Sequence, residues 1–272
     1  MIRENGGVKT PLYKTMQEIK VPENFDWQMW INRWDRMQER YIAKRSERFE
    51  IIVQLVRETQ SNIRCILDLG CGTGSLMLEM LKTFPDAKVF GIDFDPTLLP
   101  LARKRLAAFG NRVHIILDDL RQPNWLEQIP ESIDAVVSAT ALHWMQPDEL
   151  VSLYGQLAEI IRSGGIFLNA DHVGSDNNQI QKTWQKHQEE SRNQEKTRET
   201  WENFWADYMA ALGLDTTQIY QRVLGGWQGG IEDGMPLTWH FDKLKDAGFV
   251  SVDCFWRCDC DAIYGGLKRI SL

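Results

Sequence analysis

The chain has 272 residues, with 31 Lys and Arg against 38 Asp and Glu, for a formal net charge of −7. That length suggests one large domain or a domain with an insertion, big enough to bury a core without disulfides or structural metal. The acidic balance argues against a protein that tracks phosphate backbones by bulk charge, and no apolar run approaches the ~18 residues of a membrane helix.

Met1–Lys14 mixes charge with glycine around no apolar centre, so no secretory leader is expected there. Five cysteines, an odd number, fit reduced thiols in a cytoplasm better than a disulfide framework. A cytoplasmic protein, monomer or homodimer, is expected, with neither nucleic acid nor membrane as partner. The composition has one peculiarity, eleven tryptophans, most of them in flanking segments outside the middle of the chain.

In chain order, Phe25–Glu58 reads as one or two helices, with Trp27, Trp30 and Trp34 at helical spacing. From Ile63 to Leu168 short apolar runs alternate with amphipathic stretches. Strands are expected at Ile66–Leu69, Val89–Ile92, His114–Leu117, Ala135–Val137 and Ile166–Leu168. Helical stripes fall between them: Leu76, Met77, Met80, Leu81; then Leu98, Ala102, Leu106; then Leu150 to Ile161, stopped by Gly164-Gly165. That rhythm implies a parallel sheet covered on both faces.

Residues 174–236 break the rhythm. Gln179–Met209 reads as a polar helix with Trp201, Phe204, Trp205 and Tyr208 on one face, and Gly225-Gly226 and Gly229-Gly230 mark loops around Trp227. The rhythm resumes with a helix over Phe241–Ala247 that ends at Gly248, then two strands, Val250–Arg257 and Ala262–Leu267. The expected organisation is a helical N-terminal lid (1–60), a cofactor-binding core (61–173), a helical insertion capping the substrate (174–236) and a closing strand pair (237–272).

The informative motif is Asp68-Leu69-Gly70-Cys71-Gly72-Thr73-Gly74, which leaves a strand and enters a helix. Its glycines let backbone approach a ligand closely, and the helix start offers N–H groups to an anion. The spacing is G-x-G-x-G, unlike the G-x-G-x-x-G of dinucleotide sites, which disfavours a nicotinamide dehydrogenase. An acid before the loop does nothing for a pyrophosphate but suits an ammonium. Asp93, ending the next strand, lies at the offset where an acid grips ribose hydroxyls. Asp118-Asp119 ends the third strand, so three acidic positions sit at successive strand ends, where open α/β sheets bind ligands.

These residues resemble the class I S-adenosylmethionine-dependent methyltransferases over about Ile63 to Leu168. Asp134–Ser138 and Arg162–Gly165 are similar to later motifs of that family, and Ile263–Lys268 to its reversed final strand. Ser138–Trp144 is most similar to small-molecule enzymes such as the trans-aconitate methyltransferase group. The resemblance implies a Rossmann-like seven-stranded sheet with helices on both faces and the last strand antiparallel. It also implies S-adenosylmethionine as cofactor and S-adenosylhomocysteine as product. The cofactor would be held by Asp68, Gly70, Cys71, Gly72, Gly74, Asp93, Phe94, Asp119, Leu120 and Ala139. The acceptor would lie near Trp30, Trp34, His143, Trp144 and His172.

Several alternatives stand beside these readings. Asp118 competes with Asp119 for the adenine. His143 is either a substrate contact, a general base, or a packed histidine. The Trp27–Trp34 stripe is a lid over the cofactor or a core seam, and the Trp201–Tyr208 stripe is core of the insertion or pocket wall. Cys254, Cys258 and Cys260 read as structural or surface thiols with no metal, and Glu189–Glu202 as a solvated helix face. The expected activity is methyl transfer to a small molecule, at a hydroxyl or carboxylate oxygen. A non-catalytic cofactor-binding regulator and an N- or C-methyltransferase are the rivals. The Asn/Asp-Pro-Pro-Tyr/Phe signature of planar-amine methylation is replaced here by Ser138-Ala139-Thr140-Ala141.

Overall fold

The structure is a computed structural model and describes residues 19–130, 132–194, 199–215 and 234–270. Two helices come first, α1 (Trp27–Tyr41) and α2 (Arg45–Thr59). The alternating unit follows as β1 (Cys65–Leu69), α3 (Ser75–Thr83), β2 (Lys88–Asp93), α4 (Leu99–Leu106), β3 (Val113–Leu117), β4 (Ile133–Ala139), α5 (Pro147–Ile160) and β5 (Ile161–His172). Then come α6 (Asn178–Gln194), α7 (Trp201–Leu212), α8 (Leu237–Asp246), β6 (Phe249–Cys258) and β7 (Asp261–Lys268).

The strands form one seven-stranded sheet in the order β3-β2-β1-β4-β5-β7-β6. β1 to β5 run parallel, and β7 enters antiparallel between β5 and β6. The strand order reverses between β1 and β4, the switch point at which ligands of such sheets bind.

Successive residues of one strand serve opposite layers, as the two-residue period requires. Leu67 and Leu69 of β1 pack with α5 and α8 through Leu153, Tyr154, Leu157 and Leu244. Ile66 faces the other way, with α2 and α3 through Ile52, Val56, Met77 and Met80. A third cluster stands outside both layers and joins Trp30, Trp34 and Met37 of α1 to Leu101 of α4 and Phe204 and Tyr208 of α7. Arg33 extends this joint by pairing with Glu199 and, at 2.7 Å, with Asp207.

Three expectations need correcting. Gln179–Met209 is two helices, because Thr200 caps a new one by accepting the Asn203 N–H. The helix before Gly164-Gly165 ends four residues earlier, at Ile160, where Ile161 turns extended and begins β5. Glu189–Glu202 is not uniformly solvated, since Glu199 is nearly buried against Arg33. The ends of the 174–236 stretch meet where Gly174 N–H donates to the Met235 carbonyl, 3.1 Å, beside Pro236. The glycine pairs around Trp227 lie outside the described residues.

Candidate active site

A cavity of 810 Å³ opens over the carboxyl ends of β1, β2, β4 and β5 and is roofed by α1, α2, α6 and α7. Its size and its position at the switch point suit a ligand pair of drug-like dimensions.

The β1–α3 loop forms one wall. Gly70 has φ +66°, and a Cβ there would lie 2.3 Å from that of Ala141, so the β4 loop can close over β1 only because the side chain is absent. Gly74 also has positive φ, but a Cβ there would strike Leu106 at 2.9 Å, and Gly74 is not part of the cavity wall. Its role in this structure is the close approach of α4, contrary to the ligand contact expected of it. Cys71 lines the wall, and burial followed by the charges of Asp93 and Asp68 raises its thiol well above the ordinary value, which leaves a protonated, unreactive group.

Two carboxylates face this wall. Asp68 is buried, and its Oδ2 has no hydrogen-bond partner among the described residues. Burial, then the nearby Asp93, pushes its carboxyl well above the usual range. An uncompensated buried oxygen of this kind costs free energy until a donor arrives, and an ammonium would supply one. Asp93 accepts the N–H groups of Gly72 at 2.7 Å and Asp95 at 2.9 Å, which fixes its carboxylate at the mouth of the loop. Burial and then the Asp95 charge raise it to about 7, against those two bonds. The donor set therefore fits S-adenosylmethionine: acids for ammonium and ribose, N–H groups for carboxylate, and Phe94 and Leu120 as apolar walls.

Asp118 and Asp119 both line the cavity, so their position leaves the adenine role shared. Asp118 accepts the Asp119 N–H at 2.7 Å and Gln128 Nε2 at 2.5 Å. Asp119 is gripped by Arg121 through Nε at 2.8 Å and Nη2 at 2.6 Å. Ala139 also lies on the wall.

The ends of β4 and β5 bring His143 and Trp144, in a single 3₁₀ turn after β4, and His172 to the cavity. His143 Nδ1 lies 2.6 Å from Asp171 Oδ1, and its own backbone N–H donates to Asp171 Oδ2 at 3.0 Å. The Asp171 carboxylate also accepts the His172 N–H, 2.9 Å. Burial would raise this carboxyl, but the charge and hydrogen bond of His143, with His172 adding to them, hold it below the usual range. His172 Nδ1 lies 2.9 Å from Asp261 Oδ1, which also meets Arg48 Nη1 at 3.2 Å.

Behind Asp171 a polar chain runs into the core. Asn169 Nδ2 donates to Tyr264 Oη at 2.9 Å, and Tyr264 and Tyr154 share His240 Nδ1 at 3.1 and 2.8 Å. Burial pushes His240 down to about 4, so at neutral pH it is an uncharged member of that chain.

The aromatic expectations divide. Trp34 lines the cavity, whereas Trp30 is buried in the α1–α7 seam among Phe25, Phe204 and Tyr208 and does not reach it. The α7 stripe splits likewise: Trp201 and Trp205 form cavity wall, and Phe204 and Tyr208 are core. Glu189 and Glu202 reach the cavity rim. None of the five cysteines is in a disulfide, and Cys260 lines the cavity at the β6–β7 turn. Among the described residues no three His, Cys, Asp or Glu side chains are placed to hold a metal ion, and no helix is long and apolar enough to cross a membrane.

Asp171, Asp261, Arg48 and Arg45, which also lines the cavity, were not anticipated from sequence. One signal was available: Asn169 and Asp171 interrupt the apolar run Ile166–Val173, and buried polar side chains in such a run need a reason.

A loop-to-helix acid motif, a second acid at the next strand end and a seven-stranded sheet with β7 reversed together define a class I S-adenosylmethionine-dependent methyltransferase. Residues 66–165 match the family model described as a methyltransferase domain, and the chain is an enzyme of that class. It is 22% identical over 238 residues to a carboxy-S-adenosyl-L-methionine synthase of Nautilia profundicola, covering 86% of this chain and 90% of that one. It is 31% identical over 122 residues to a malonyl-[acyl-carrier protein] O-methyltransferase of Halalkalibacterium halodurans, covering 43% and 44%. The chain thus spans less than half the length of that second relative. An O-methyltransferase family protein from Burkholderia thailandensis has a similar structure, with TM-score 0.55, 16% identity and coverage of 90% of this chain and 70% of its own.

Proposed function

We propose that this methyltransferase acts on an oxygen of a small-molecule acceptor, with His143 as general base. The observation that carries the reading is His143 on the cavity wall with Asp171 buried behind it. With Nδ1 bound to a carboxylate, the ring is fixed in the tautomer whose Nε2 accepts a proton. S-adenosylmethionine, when bound, would supply a methyl carbon activated by its sulfonium, and His143 Nε2 would take the proton that the acceptor oxygen gives up on methylation.

Asp68 is proposed to hold the cofactor ammonium, Asp93 the ribose diol, and Asp118 or Asp119 with Leu120 the adenine. Phe94, Cys71 and Ala139 pack around it, and Gly70 and Gly72 bring backbone close. Trp34, Trp144 and His172 are proposed to face the acceptor. α1 is proposed to serve as a lid, and residues 174–236 to cap the acceptor.

The test is incubation with methyl-labelled S-adenosylmethionine and small-molecule extract, followed by mass spectrometry. Label on an oxygen of a small product, lost with His143→Gln, supports the reading; label only on nitrogen or carbon, or undiminished turnover by His143→Gln, overturns it. The broad coverage of the Nautilia relative supports a second reading, in which the product is a carboxylated cofactor. The same spectra would reveal it as added mass on the cofactor itself.

A further inference from the structure

We infer that the acceptor presents two neighbouring oxygens to a pair of imidazoles: the hydroxyl to be methylated at His143 Nε2, and an anionic or carbonyl oxygen at His172 Nε2. The substrate class is then a planar hydroxy compound with an oxygen substituent on the adjacent carbon. The inference rests on the reading of His143 as base and adds a second recognition element to it.

The two histidines are built alike. Each commits Nδ1 to a buried carboxylate, His143 to Asp171 and His172 to Asp261. For neither ring is Nε2 partnered among the described residues, and both side chains line the same cavity. Their rings meet edge to face with centroids 4.7 Å apart and planes at 62°. Two neighbouring imidazoles on one cavity wall can be met by two oxygens on neighbouring carbons.

The two sites differ in what else holds the carboxylate. Asp261 is bound by Arg48 as well as by His172, and both Arg48 and Asp261 are almost wholly buried. Arg48 reaches it from α2, 213 residues away in sequence. A buried ion pair is weak evidence for stability, because desolvation offsets its attraction. Here it fixes the position and proton of His172. Burial opposes the charged imidazole, yet the hydrogen bond and charge of Asp261, then Asp171, raise it above its ordinary value. With its Nδ1 tied to Asp171, His143 turns Nε2 to the cavity as an acceptor, while Asp261 favours the charged, donating form of His172, so the complementary ligand is an O–H beside an oxygen that accepts.

The surrounding walls favour a flat molecule. The Trp144 ring centroid lies 4.9 Å from that of His143, and Trp34 and Trp205 line the same cavity.

The experiment measures affinities of 2-hydroxybenzoate, catechol and 2-hydroxyacetophenone against phenol, using protein saturated with S-adenosylhomocysteine. At least one two-oxygen probe should bind tenfold or more tightly than phenol. His172→Phe should abolish that preference, and His172→Gln, which keeps an N–H donor, should retain part of it. S-adenosylhomocysteine affinity is the folding control. Should His172→Phe fail that control, His172→Gln and imidazole ¹⁵N shifts of the parent on adding 2-hydroxybenzoate decide, with a His172 shift expected. Equal binding of all four probes, or a preference that survives in His172→Phe, or an unmoved His172 resonance, overturns the inference. His143→Gln separates this from the base reading: it should lose turnover yet keep the two-oxygen preference. If it keeps turnover, the base reading fails while these affinities still judge His172.

Discussion

His143 and Asp171 are joined twice, once through the imidazole Nδ1 at 2.6 Å and once through the His143 backbone N–H at 3.0 Å. The double contact fixes both the position of the turn after β4 and the tautomer of the ring. Asp171→Asn would keep the shape but present an amide where four donors now converge. We expect kcat to fall by roughly 10²–10⁴-fold, the usual contribution of a positioned base. S-adenosylhomocysteine affinity should stay within about twofold, because Asp171 is buried behind His143 and is not among the cavity-lining residues. Calorimetry beside steady-state kinetics checks the pair; an equal loss in both measurements would mean a collapsed site.

Asp93 makes cofactor affinity and apo stability move in opposite directions with pH. Its carboxyl stands at about 7 in the folded protein against 3.8 ordinarily. Raised in the fold, it contributes stability that is full below about 3.8 and is lost as pH climbs through 7. At ~1.4 kcal/mol per pH unit the loss is on the order of 4 kcal/mol across that window. The ribose needs the ionised form, so binding should tighten from pH 6 to pH 8. Asp93→Asn should unfold at higher temperature than the parent at pH 8, with the difference shrinking toward pH 4. Asp93→Ala should weaken binding at least tenfold, each charged hydrogen bond contributing roughly 1.5–3 kcal/mol. Thermal melts and titrations at three pH values measure both trends.

Gly70 and Ala141 can be tested as a couple. Gly70→Ala introduces a Cβ 2.3 Å from that of Ala141 at a φ of +66°. Two costs are expected: a left-handed penalty of roughly 1–2 kcal/mol and a steric one of roughly 1–3 kcal/mol. Adding Ala141→Gly should recover only the steric part. Denaturant midpoints of both single variants and the double separate them, and strict additivity would mean the two residues do not meet.

The helix α1 carries a fourth prediction. Trp34 lines the cavity while Arg33 ties α1 to α7 through Glu199 and Asp207. If α1 opens to admit ligands, amides of Trp27–Tyr41 should exchange quickly in the apo protein and become protected on adding S-adenosylhomocysteine. Arg33→Ala should speed apo exchange further. Equal protection with and without ligand would make α1 a permanent seam, as Trp30 already is.

What the sequence made legible was local. Asp68, Gly70 and Asp93 owe their positions to one strand-turn-helix-strand unit, and every spacing that places them lies within 26 residues. The strand rhythm likewise carried β1 to β7. What stayed hidden depends on distant pairing: Asp171 meets His143 across 28 residues, and Arg48 meets Asp261 across 213. Periodicity put Trp30 and Trp34 on one face of α1 correctly, but it does not say where along that face the cavity ends. For the same reason Gly74 reads as ligand contact until α4 is seen pressed against it.

The antiparallel entry of β7 has a consequence for how the enzyme comes into being. In the register of β5 and β7, His172 is paired with Asp261, so its anchoring carboxylate arrives on the last hairpin described. The β1–β2 unit that carries Asp68 and Asp93 is synthesised some 170 residues earlier. Emerging from the ribosome, the polypeptide gains its nucleoside-holding acids long before its second imidazole is pinned. Assembly is ordered in time, with the donor half preceding the acceptor half.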